Sequence, residues 1–492
     1  MRILNMQDLK SHGNIKGRDI AVDILEAAME ATDPYYNTKK LVRIFDGKLY
    51  IGNPDYEGKG DIRTGIDVYT RDDIDRIFVY GAAKGSNRVA KALEEILGDW
   101  LTGGVIIGKH GDEDNLSRIR LIHAGHPVPD AACVEGCNAI IASIREAKLT
   151  PRDLVFTVVG NGVSSLLTLP AGKITLEEVT DMTRQMQIEH GAPTQDLSHV
   201  RVQIDAMKGG RITKLLRPAK MVHILAVDIN DPTVAGIGGY RDLMTRNTWL
   251  HTMPDATTRE KAIEALKKWD CWDTVAQSIR DTLENPVDVP PPMTQEEYES
   301  MDARVFGIMP SHLGFMPTAM NMAKEKGFEP HLLCRRTNAE ASAVGVYLGR
   351  IAQLIEAEGS PFKAPCALFS MGEMLVTCGD NPGVGGRNQE FCVSLAQTIA
   401  GSKRIVACSV DTDGTDGPGG NFDDEAFSKG INNLCGGVVD GYLAQEAKDE
   451  GINLFTAQKT HATSAALWKL KSGVNATRNI SLNDFTMVLI TE

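Results

Sequence analysis

Short runs of β-branched and aromatic residues alternate with longer amphipathic stretches through the first half of the 492-residue chain. Residues 76–80, "RIFVY", predict a buried strand, "GAAKGS" a tight turn, and "NRVAKALEEIL" a helix, because its apolar residues recur three and four positions apart. Similar strand signals occur at "DLVFTVV" and "MVHILAV". This alternation predicts an α/β fold with a mostly parallel sheet, whose ligands bind beyond the carboxyl ends of the strands.

The chain changes character between residues 250 and 305. Helical stretches there lead into the proline-rich, acidic segment "NPVDVPPPMTQEEYES", which is typical of a connection between domains. Helices at "TAMNMAKEKG" and "NAEASAVGVYLGRIAQLIEAEG" then precede strands at "CALFS", "EMLVTC" and "RIVACSV". We therefore expect two α/β domains, 1–250 and 306–492, joined by a helical and proline-rich connection at 251–305.

Composition limits the partners. A net charge of -13 argues against a general nucleic-acid or anionic-membrane surface, and no apolar run approaches the roughly 20 residues that span a bilayer. The amino terminus lacks the apolar core of a signal peptide. Nine scattered cysteines suit reduced, buried thiols, with Cys133 and Cys137 as packing residues rather than half of a zinc site. These features predict a cytoplasmic protein with no nucleic-acid or membrane partner.

Two turns that follow predicted strands are candidate anion sites. "GAAKGS" holds Lys84 beside the start of a helix, where backbone N–H groups attract anions; an ordinary surface lysine is the alternative. The loop after "DLVFTVV" supplies Gly160, Asn161, Gly162, Ser164 and Ser165, which suit either an anion nest or a plain turn with hydroxyl capping.

Two nucleotide-binding motifs fail on inspection. Gly103 to Lys109 nominally matches a phosphate-binding loop, but His110 stands where serine or threonine should bind magnesium, and "VII" favours a strand. "GAAKGS" has Ala83 where the dinucleotide fingerprint needs its second glycine. Nicotinamide-linked chemistry is therefore disfavoured.

The second half contains an acidic loop and a glycine-rich loop. "SVDTDGTDGPGGNFDDE" clusters carboxylates after a strand, which suits either Mg²⁺ beside substrate phosphates or a solvated acidic turn. In "GVGGRNQEF", Gly385 and Gly386 permit close backbone approach while Arg387 offers a planar fork for phosphate or carboxylate. Locally, this stretch reads equally well as a turn that leads into a helix.

Five ordered stretches, "GAAKGS", "HAGHPVPDAACVEG", "AMKGGRITKLLRPAK", "GGRNQE" and "DTDGTDGP", resemble the class II glycerate 2-kinases, whose carboxyl-terminal part is the MOFRL domain. The resemblance implies a larger Rossmann-like amino-terminal domain and a smaller MOFRL-type domain with the active-site cleft between them. It also implies transfer of the γ-phosphoryl of ATP, with Mg²⁺, to the 2-hydroxyl of D-glycerate.

The resemblance assigns roles by motif. Lys84 and Arg387 match the essential lysine and arginine, and Asp228 is the candidate that orients or deprotonates the acceptor hydroxyl. Asp413 and Asp416 are the metal candidates. The predicted substrate- and phosphate-binding set comprises Gly81, Ser86, Gly160, Asn161, Gly162, Ser164, Ser165, Lys208, Arg211, Glu373, Gly385, Gly386 and Asn388.

Three loops depart from the family pattern. Asn161 and Val163 replace two glycines of the expected anion-binding loop, and a valine there resists positive φ. "VDINDPTVAGIGGYRD" lacks the family's serine-glycine-proline turn, and "NISLNDF" keeps only Asn483 and Asp484. These departures suggest a shifted hydroxy-acid substrate. The alternatives are a hydroxypyruvate reductase-type activity and a non-kinase relative that binds a sugar acid. The oligomeric state stays open, with a homodimer the commonest closed assembly.

Overall fold

The structure, a computed structural model, describes residues 1–286, 289–378, 382–478 and 483–492, except for the side chains of residues 188 and 234. The chain divides into two units: Pro34–Ser311, and Met1–Asp33 together with His312–Glu492.

The unit Pro34–Ser311 contains nine strands in two sheets. The strands are β1 (Val42–Phe45), β2 (Lys48–Ile51), β3 (Asp67–Tyr69), β4 (Arg76–Ala82), β5 (Leu101–Lys109), β6 (Ile119–Ala124), β7 (Asp153–Gly160), β8 (Lys220–Ala226) and β9 (Ala303–Gly307). The first three form a small antiparallel sheet, and the other six form a parallel sheet in the order β6-β5-β4-β7-β8-β9. The predicted Rossmann-like parallel sheet is confirmed.

Burial explains why β4 and β7 lie at the centre of this sheet. Every residue of β7 is buried, as expected for a parallel strand covered on both faces. Arg76 and Asp153 are paired in register at the start of the two strands, and Arg76 Nη2 lies 2.7 Å from Asp153 Oδ2. The ion pair fixes the register, because a shift of one residue would separate the two charges.

Helices connect and cover these strands. Their bounds are Pro34–Leu41, Ser86–Leu97, Ala131–Ala147, Val163–Leu166, Leu176–Thr183, Thr194–Gln203, Arg211–Leu215, Pro232–Ala235, Tyr240–Thr245, Arg259–Lys268, Gln277–Glu284 and Gln295–Glu299, with a π-helical turn at Arg184–Glu189. Cys133 and Cys137 are buried on Ala131–Ala147 within the main core, as predicted for packing residues.

The other unit has a mixed sheet of six strands. These are β10 (Glu329–Thr337), β11 (Cys366–Gly372), β12 (Ile405–Asp411), β13 (Gly436–Asp440), β14 (Gly473–Val474) and β15 (Asp484–Ile490), in the order β10-β11-β15-β12-β13-β14. Among the described strands of this mixed sheet, β10 and β11 form the one parallel pair, and the other pairs are antiparallel. A second α/β unit was predicted, and it is present.

Two helical layers cover this mixed sheet. Ile15–Ala31 and Phe315–Glu325 share one apolar core with it, and Ala341–Glu358 and Arg387–Thr398 contribute to the other. The remaining helices of the unit are Met6–Leu9, Asp424–Ser428, Leu443–Asp449, Leu454–Lys459 and Thr463–Lys469.

The predicted domain boundaries are corrected at both ends. Residues 1–33 belong with the carboxyl-terminal unit, because Ile15–Ala31 buries its apolar face in that core. The stretch 251–305 is not a connection, because Arg259–Lys268 and Gln277–Glu284 share a core with Thr194–Gln203, and β9 forms the edge of the parallel sheet.

The strand expected at "EMLVTC" is also wrong. After β11 ends at Gly372, only an isolated bridge at Leu375 remains within residues 373–378. The backbone N–H of Met374 donates to Asp484 Oδ2 at 2.9 Å instead of to a neighbouring strand. A side-chain acceptor therefore takes the chain out of the sheet.

Candidate active site

The order of the parallel sheet reverses between β4 and β7, since β5 and β6 lie on one side and β8 and β9 on the other. Open α/β sheets bind ligands in the crevice beyond the carboxyl ends of such a pair. "GAAKGS" follows β4 and "GNGVSS" follows β7. The two loops touch, because the backbone N–H of Lys84 donates to the carbonyl oxygen of Asn161 at 2.9 Å.

Gly162 allows three groups to approach one another in this crevice. Its φ is +84°, a left-handed value that favours glycine. A Cβ at this position would lie 2.8 Å from Cγ of Lys84 and 3.1 Å from Cδ2 of His126. Ser165 Oγ donates to the carbonyl oxygen of Gly125 at 2.9 Å and so holds the His126 loop against the loop after β7.

A cavity of about 520 Å³ opens at this crevice. Hydroxyl, amide and cationic side chains line much of it, and no Asp or Glu occurs among its described lining residues, which include His126, Asn161, Ser164, Gln187, Ser198, Arg201, Arg246 and Trp249. A concave site with cations and without carboxylates suits an anionic small molecule.

His126 is neutral in this environment. Burial lowers its pKa to about 4, and the positive charges of Lys84, Lys109 and Arg201 act in the same direction. At pH 7 the imidazole therefore carries no charge, and it can exchange hydrogen bonds with a bound ligand as donor or acceptor.

The glycine-rich loop of the other unit begins the helix Arg387–Thr398. Arg387 Nε donates to Asp484 Oδ1 at 2.9 Å, and Nη2 donates to Asp411 Oδ2 at 3.1 Å. The Arg387 side chain remains 27% exposed, while two carboxylates fix the plane of its guanidinium. Such a preorganised fork can bind a phosphate or carboxylate.

Carboxylates crowd together behind Arg387. Burial raises the pKa of Asp411 and that of Asp416 to about 7 each, and the charge of Asp484 adds to both shifts. Burial also raises the pKa of Asp484, although hydrogen bonds from Asn388 and the Arg387 charge oppose the rise. The three carboxylates therefore hold the Arg387 guanidinium in a poorly solvated environment.

Comparisons with known proteins cover nearly the whole chain. The model described as "Domain of unknown function (DUF4147)" matches residues 20–284, and that of the MOFRL family matches residues 366–479. A glycerate 2-kinase of Pyrococcus horikoshii is 28% identical over 92% of each chain. A crystal structure of glycerate kinase from Thermotoga maritima superposes with a TM-score of 0.69 at 25% identity, covering 96% of this chain and 99% of that one.

The chain belongs to the glycerate 2-kinase (MOFRL) family. By membership it is a glycerate 2-kinase-like phosphotransferase, and the predicted two-unit fold is confirmed. A protein of Agrobacterium vitis named "Putative hydroxypyruvate reductase" is 33% identical over 69% of this chain and 83% of its own length. Among the described residues, no helix is both long and apolar enough to cross a bilayer.

Several predicted ligands of this family member are structural instead. Gly81 lies inside β4, where a Cβ would collide with the backbone of Val158, and Gly160 ends β7 against Ala226. Ser86 is fully buried, and its Oγ donates to the carbonyl oxygen of Ile107 at 3.1 Å. These three residues shape the crevice without lining the cavity.

The cations of "KGGR" do not line the cavity either. The buried Lys208 Nζ donates to Asp205 Oδ2 at 2.7 Å, to Thr168 Oγ1 at 2.9 Å and to the carbonyl oxygen of Leu167 at 2.8 Å. Arg211 is 4% exposed and donates to three backbone carbonyl groups, which belong to Val202, Lys208 and Pro290. Both side chains fix the local backbone.

Asp228 is not placed to act on an acceptor hydroxyl. Its Oδ1 accepts from the N–H of Asn230 at 2.7 Å, its Oδ2 accepts from the N–H of Ser311 at 2.6 Å, and its side chain is buried. Both oxygens are therefore occupied by backbone donors, and the residue orders the loop after β8.

The glycines before Arg387 serve packing. A Cβ at Gly385 would collide with Thr463, and one at Gly386 with Asp416. Asn388 is fully buried and donates to Asp484 Oδ1 at 2.8 Å. Glu373 is exposed immediately after β11. Arg387 is thus the one member of its motif that presents a polar group to solvent among the described residues.

The predicted Mg²⁺ ligand Asp416 does not fit that ion. Asp416 is 1% exposed, and its oxygens accept from the N–H of Gln389 at 3.0 Å and from Asn388 Nδ2 at 3.3 Å. Asp413 Oδ1 accepts from the N–H and hydroxyl of Thr415, both at 2.8 Å. No cluster of three or more His, Cys, Asp or Glu side chains suited to a metal occurs in the described part of the chain.

The three loops that depart from the family pattern have different positions in the structure. The left-handed conformation falls on Gly162, and Val163 is a buried residue at the start of the helix Val163–Leu166, so the predicted strain at Val163 is absent. Ala235, Gly236 and Ile237 of the second altered loop line the same cavity as Asn161. In the third, residues 479–482 lie outside the described residues, while the retained Asp484 binds Arg387.

Sequence reasoning missed the other polar residues of the cavity, chiefly His126, Gln187, Ser198 and Arg201. The motif "HAGHPVPD" contained His126, but nothing in its spacing shows that the ring meets Lys84. Thr194, Ser198 and Arg201 recur at helical spacing on Thr194–Gln203, which was a detectable polar face.

Proposed function

We propose that this chain transfers the γ-phosphoryl group of ATP to a hydroxyl of D-glycerate or a closely related small hydroxy acid. The observation that carries the proposal is the cavity at the β4 and β7 reversal, where Lys84, Gly162 and His126 meet and the described lining has no carboxylate. The names of the relatives support the reaction class.

In this proposal Lys84 stabilises the transferring phosphoryl group. Phosphoryl transfer passes through a loose transition state with charge on the equatorial oxygens, so catalysis depends mainly on positioning and on nearby cations. The helix Ser86–Leu97 begins at the same turn, and the positive end of its dipole adds to the positive potential there.

His126 replaces Asp228 as the group that orients the acceptor hydroxyl. It lines the cavity, whereas both Asp228 oxygens are occupied by backbone donors. A neutral imidazole can accept a hydrogen bond from the hydroxyl without introducing a negative charge beside the phosphates. The loose transition state needs little base strength, so the low pKa of His126 does not prevent this role.

Arg387 is proposed as the phosphate-binding cation of its own unit, held ready by Asp411 and Asp484. The Mg²⁺ that accompanies ATP needs few protein ligands when the phosphates themselves coordinate it. We assign it no ligand from Asp416, which is buried and hydrogen-bonded.

The test is product detection. The protein is incubated with ATP, Mg²⁺ and a panel of three- to six-carbon hydroxy acids that includes D-glycerate, and products are followed by phosphorus NMR. The proposal expects ADP and one phosphorylated acid in equal amounts. If calorimetry detects binding of an acid and no acid is phosphorylated, the kinase proposal is refuted.

The same preparation tests the reductase alternative. Hydroxypyruvate is added with NADH or NADPH, and absorbance of the reduced cofactor is followed. We expect no oxidation, because Ala83 stands where a dinucleotide site needs a glycine. Steady oxidation that depends on hydroxypyruvate would instead favour the reductase.

A further inference from the structure

Arg201 is a buried arginine on the helix Thr194–Gln203, and its side chain lines the cavity. It is 8% exposed. Its single hydrogen bond within the described residues runs from Nη2 to Thr183 Oγ1 at 3.4 Å, near the limit of a useful contact. No described carboxylate forms an ion pair with it.

This lack of a partner is unusual for a buried cation. Removing an unpaired charge from water is costly, so buried arginines are normally paired with carboxylates or bound to several carbonyl groups. Arg211, the arginine of the "KGGR" motif, follows that rule, because it donates to the carbonyl groups of Val202, Lys208 and Pro290. Burial lowers the pKa of Arg201 to about 10, and no carboxylate opposes the shift.

The surroundings of Arg201 are polar on one face of its helix. Thr194, Ser198 and Arg201 follow one another at spacings of four and three residues and line the cavity together, and Gln187 lines it from the preceding turn. Hydroxyl and amide groups beside a guanidinium fork match a hydroxylated carbon chain that ends in a carboxylate.

Arg201 and Lys84 also act on one common group. Both positive charges lower the pKa of His126, which shows that both cations lie close enough to His126 to affect it electrostatically. An anionic ligand in this cavity is therefore attracted by Arg201, which lines it, and by Lys84, which lies against the lining residue Gly162.

We propose that Arg201 binds the carboxylate of the acceptor hydroxy acid and so determines the specificity of this enzyme for acids. This inference rests on the proposed function, because it takes the acceptor to be a hydroxy acid. A phosphate of the nucleotide has the same fork-binding chemistry and is the alternative source that the experiment distinguishes.

The experiment compares Arg201→Gln and Arg201→Lys with the wild-type protein. Calorimetry measures binding of D-glycerate and of six-carbon D-gluconate, and in a separate titration binding of ADP. Turnover with the acid that wild type phosphorylates best gives kcat and KM. The same measurement with the amide of that acid, which lacks the carboxylate charge, gives the preference for acid over amide. Arg184→Gln, an exposed arginine paired with Asp181 and Glu189 outside the cavity lining, is the matched control.

We expect Arg201→Gln to weaken acid binding and raise KM at least tenfold, with a smaller effect on kcat and none on ADP binding. The wild-type preference for acid over amide should disappear in Arg201→Gln and return in part in Arg201→Lys. Arg184→Gln should behave as wild type. Melting of Arg201→Gln should occur at or above the wild-type temperature, since a lone buried charge is removed.

Two results would overturn the inference. One is unchanged acid binding and unchanged acid preference in Arg201→Gln; the other is selective loss of ADP binding, which would assign the fork to the nucleotide. If Arg201→Gln does not fold, the acid preference of Arg201→Lys decides. The two proposals can fail separately. Acid binding that depends on Arg201, without any phosphoryl transfer, would support the role of Arg201 and refute the kinase proposal. Phosphoryl transfer that is insensitive to the Arg201 substitutions would support the kinase proposal and refute the role of Arg201.

Discussion

His223 lies within β8, fully buried in the parallel sheet. Its Nδ1 and Thr157 Oγ1 share a hydrogen bond of 2.6 Å, and its Nε2 is buried without a hydrogen-bond partner among the described residues. Burial lowers the pKa of His223 to about 3. Protonation of this ring is therefore incompatible with the folded sheet over most of the acidic range.

The pH dependence of stability follows from this shift. An unfolded histidine binds its proton near pH 6.5. Between pH 6.5 and about pH 3 the unfolded chain therefore holds one more proton at this position than the folded chain, so the free energy of unfolding falls as the pH falls. We expect His223→Gln to remove about 2 kcal/mol of the stability loss between pH 7 and pH 5.

Urea unfolding of wild type and His223→Gln at pH 7 and pH 5 measures this difference. The other buried histidines remain in both proteins, so the comparison isolates one ring. Equal losses of stability in the two proteins between these pH values would show that His223 is not the group responsible.

Burial also decides which cations are functional. Lys208 was predicted to line the site, because the "KGGR" motif matches the family, yet its Nζ is enclosed by Asp205, Thr168 and Leu167. Arg201, seven positions earlier, faces the cavity. Sequence gives the charge of a side chain, but only tertiary packing determines whether its partner is internal or a ligand.

At the scale of elements, the loop after β7 is the feature on which the site depends. Its sequence signal was clear as a glycine-containing turn after a buried strand, and the contact with the Lys84 turn follows from the parallel order of β4 and β7. The backbone conformation of Val163 was not predictable, because the position of the left-handed residue depends on where the short helix Val163–Leu166 begins.

We predict that Gly162→Ala impairs turnover more than stability. The left-handed φ of +84° costs an alanine about 1 kcal/mol, and the new Cβ would lie 2.8 Å from Cγ of Lys84. Lys84 must then move, and small misplacements of a catalytic group reduce rates steeply, so we expect a loss in kcat/KM of about tenfold or more.

Gly430→Ala is the matched control, because Gly430 has a φ of +78° and open space around the position of a Cβ. Both variants should lose similar stability in urea unfolding, while only Gly162→Ala loses activity. Equal activity in the two variants would contradict the proposed role of the loop.

At the scale of the whole molecule, the first 33 residues stabilise the carboxyl-terminal unit. Arg18 on Ile15–Ala31 is fully buried and pairs with Asp440 at the end of β13. No local sequence signal connects positions 422 residues apart. The prediction of 1–250 as one domain failed for this reason, since it assumed that sequence neighbours share a core.

Arg18→Met should therefore destabilise the carboxyl-terminal unit, to which residues 1–33 belong. The change leaves the Asp440 carboxylate buried without its cation, which typically costs 3–5 kcal/mol. Hydrogen exchange should accelerate in β12, β13 and β15 and stay unchanged in β4 and β7. Lys10→Met, whose partners Asp19 and Asp23 are partly exposed, should have little effect. Faster exchange confined to β4 and β7 would contradict the assignment of residues 1–33.

The central claim is that phosphoryl transfer to a hydroxy acid takes place at the crevice between the β4 and β7 loops. The most direct test is single-turnover phosphoryl transfer from ATP by Lys84→Ala, with the acid that wild type phosphorylates best. The variant should fold as wild type and lose about 10²–10³-fold in rate, the usual effect of deleting one preorganised donor. A folded Lys84→Ala protein that transfers the phosphoryl group at a rate near that of wild type would contradict the account.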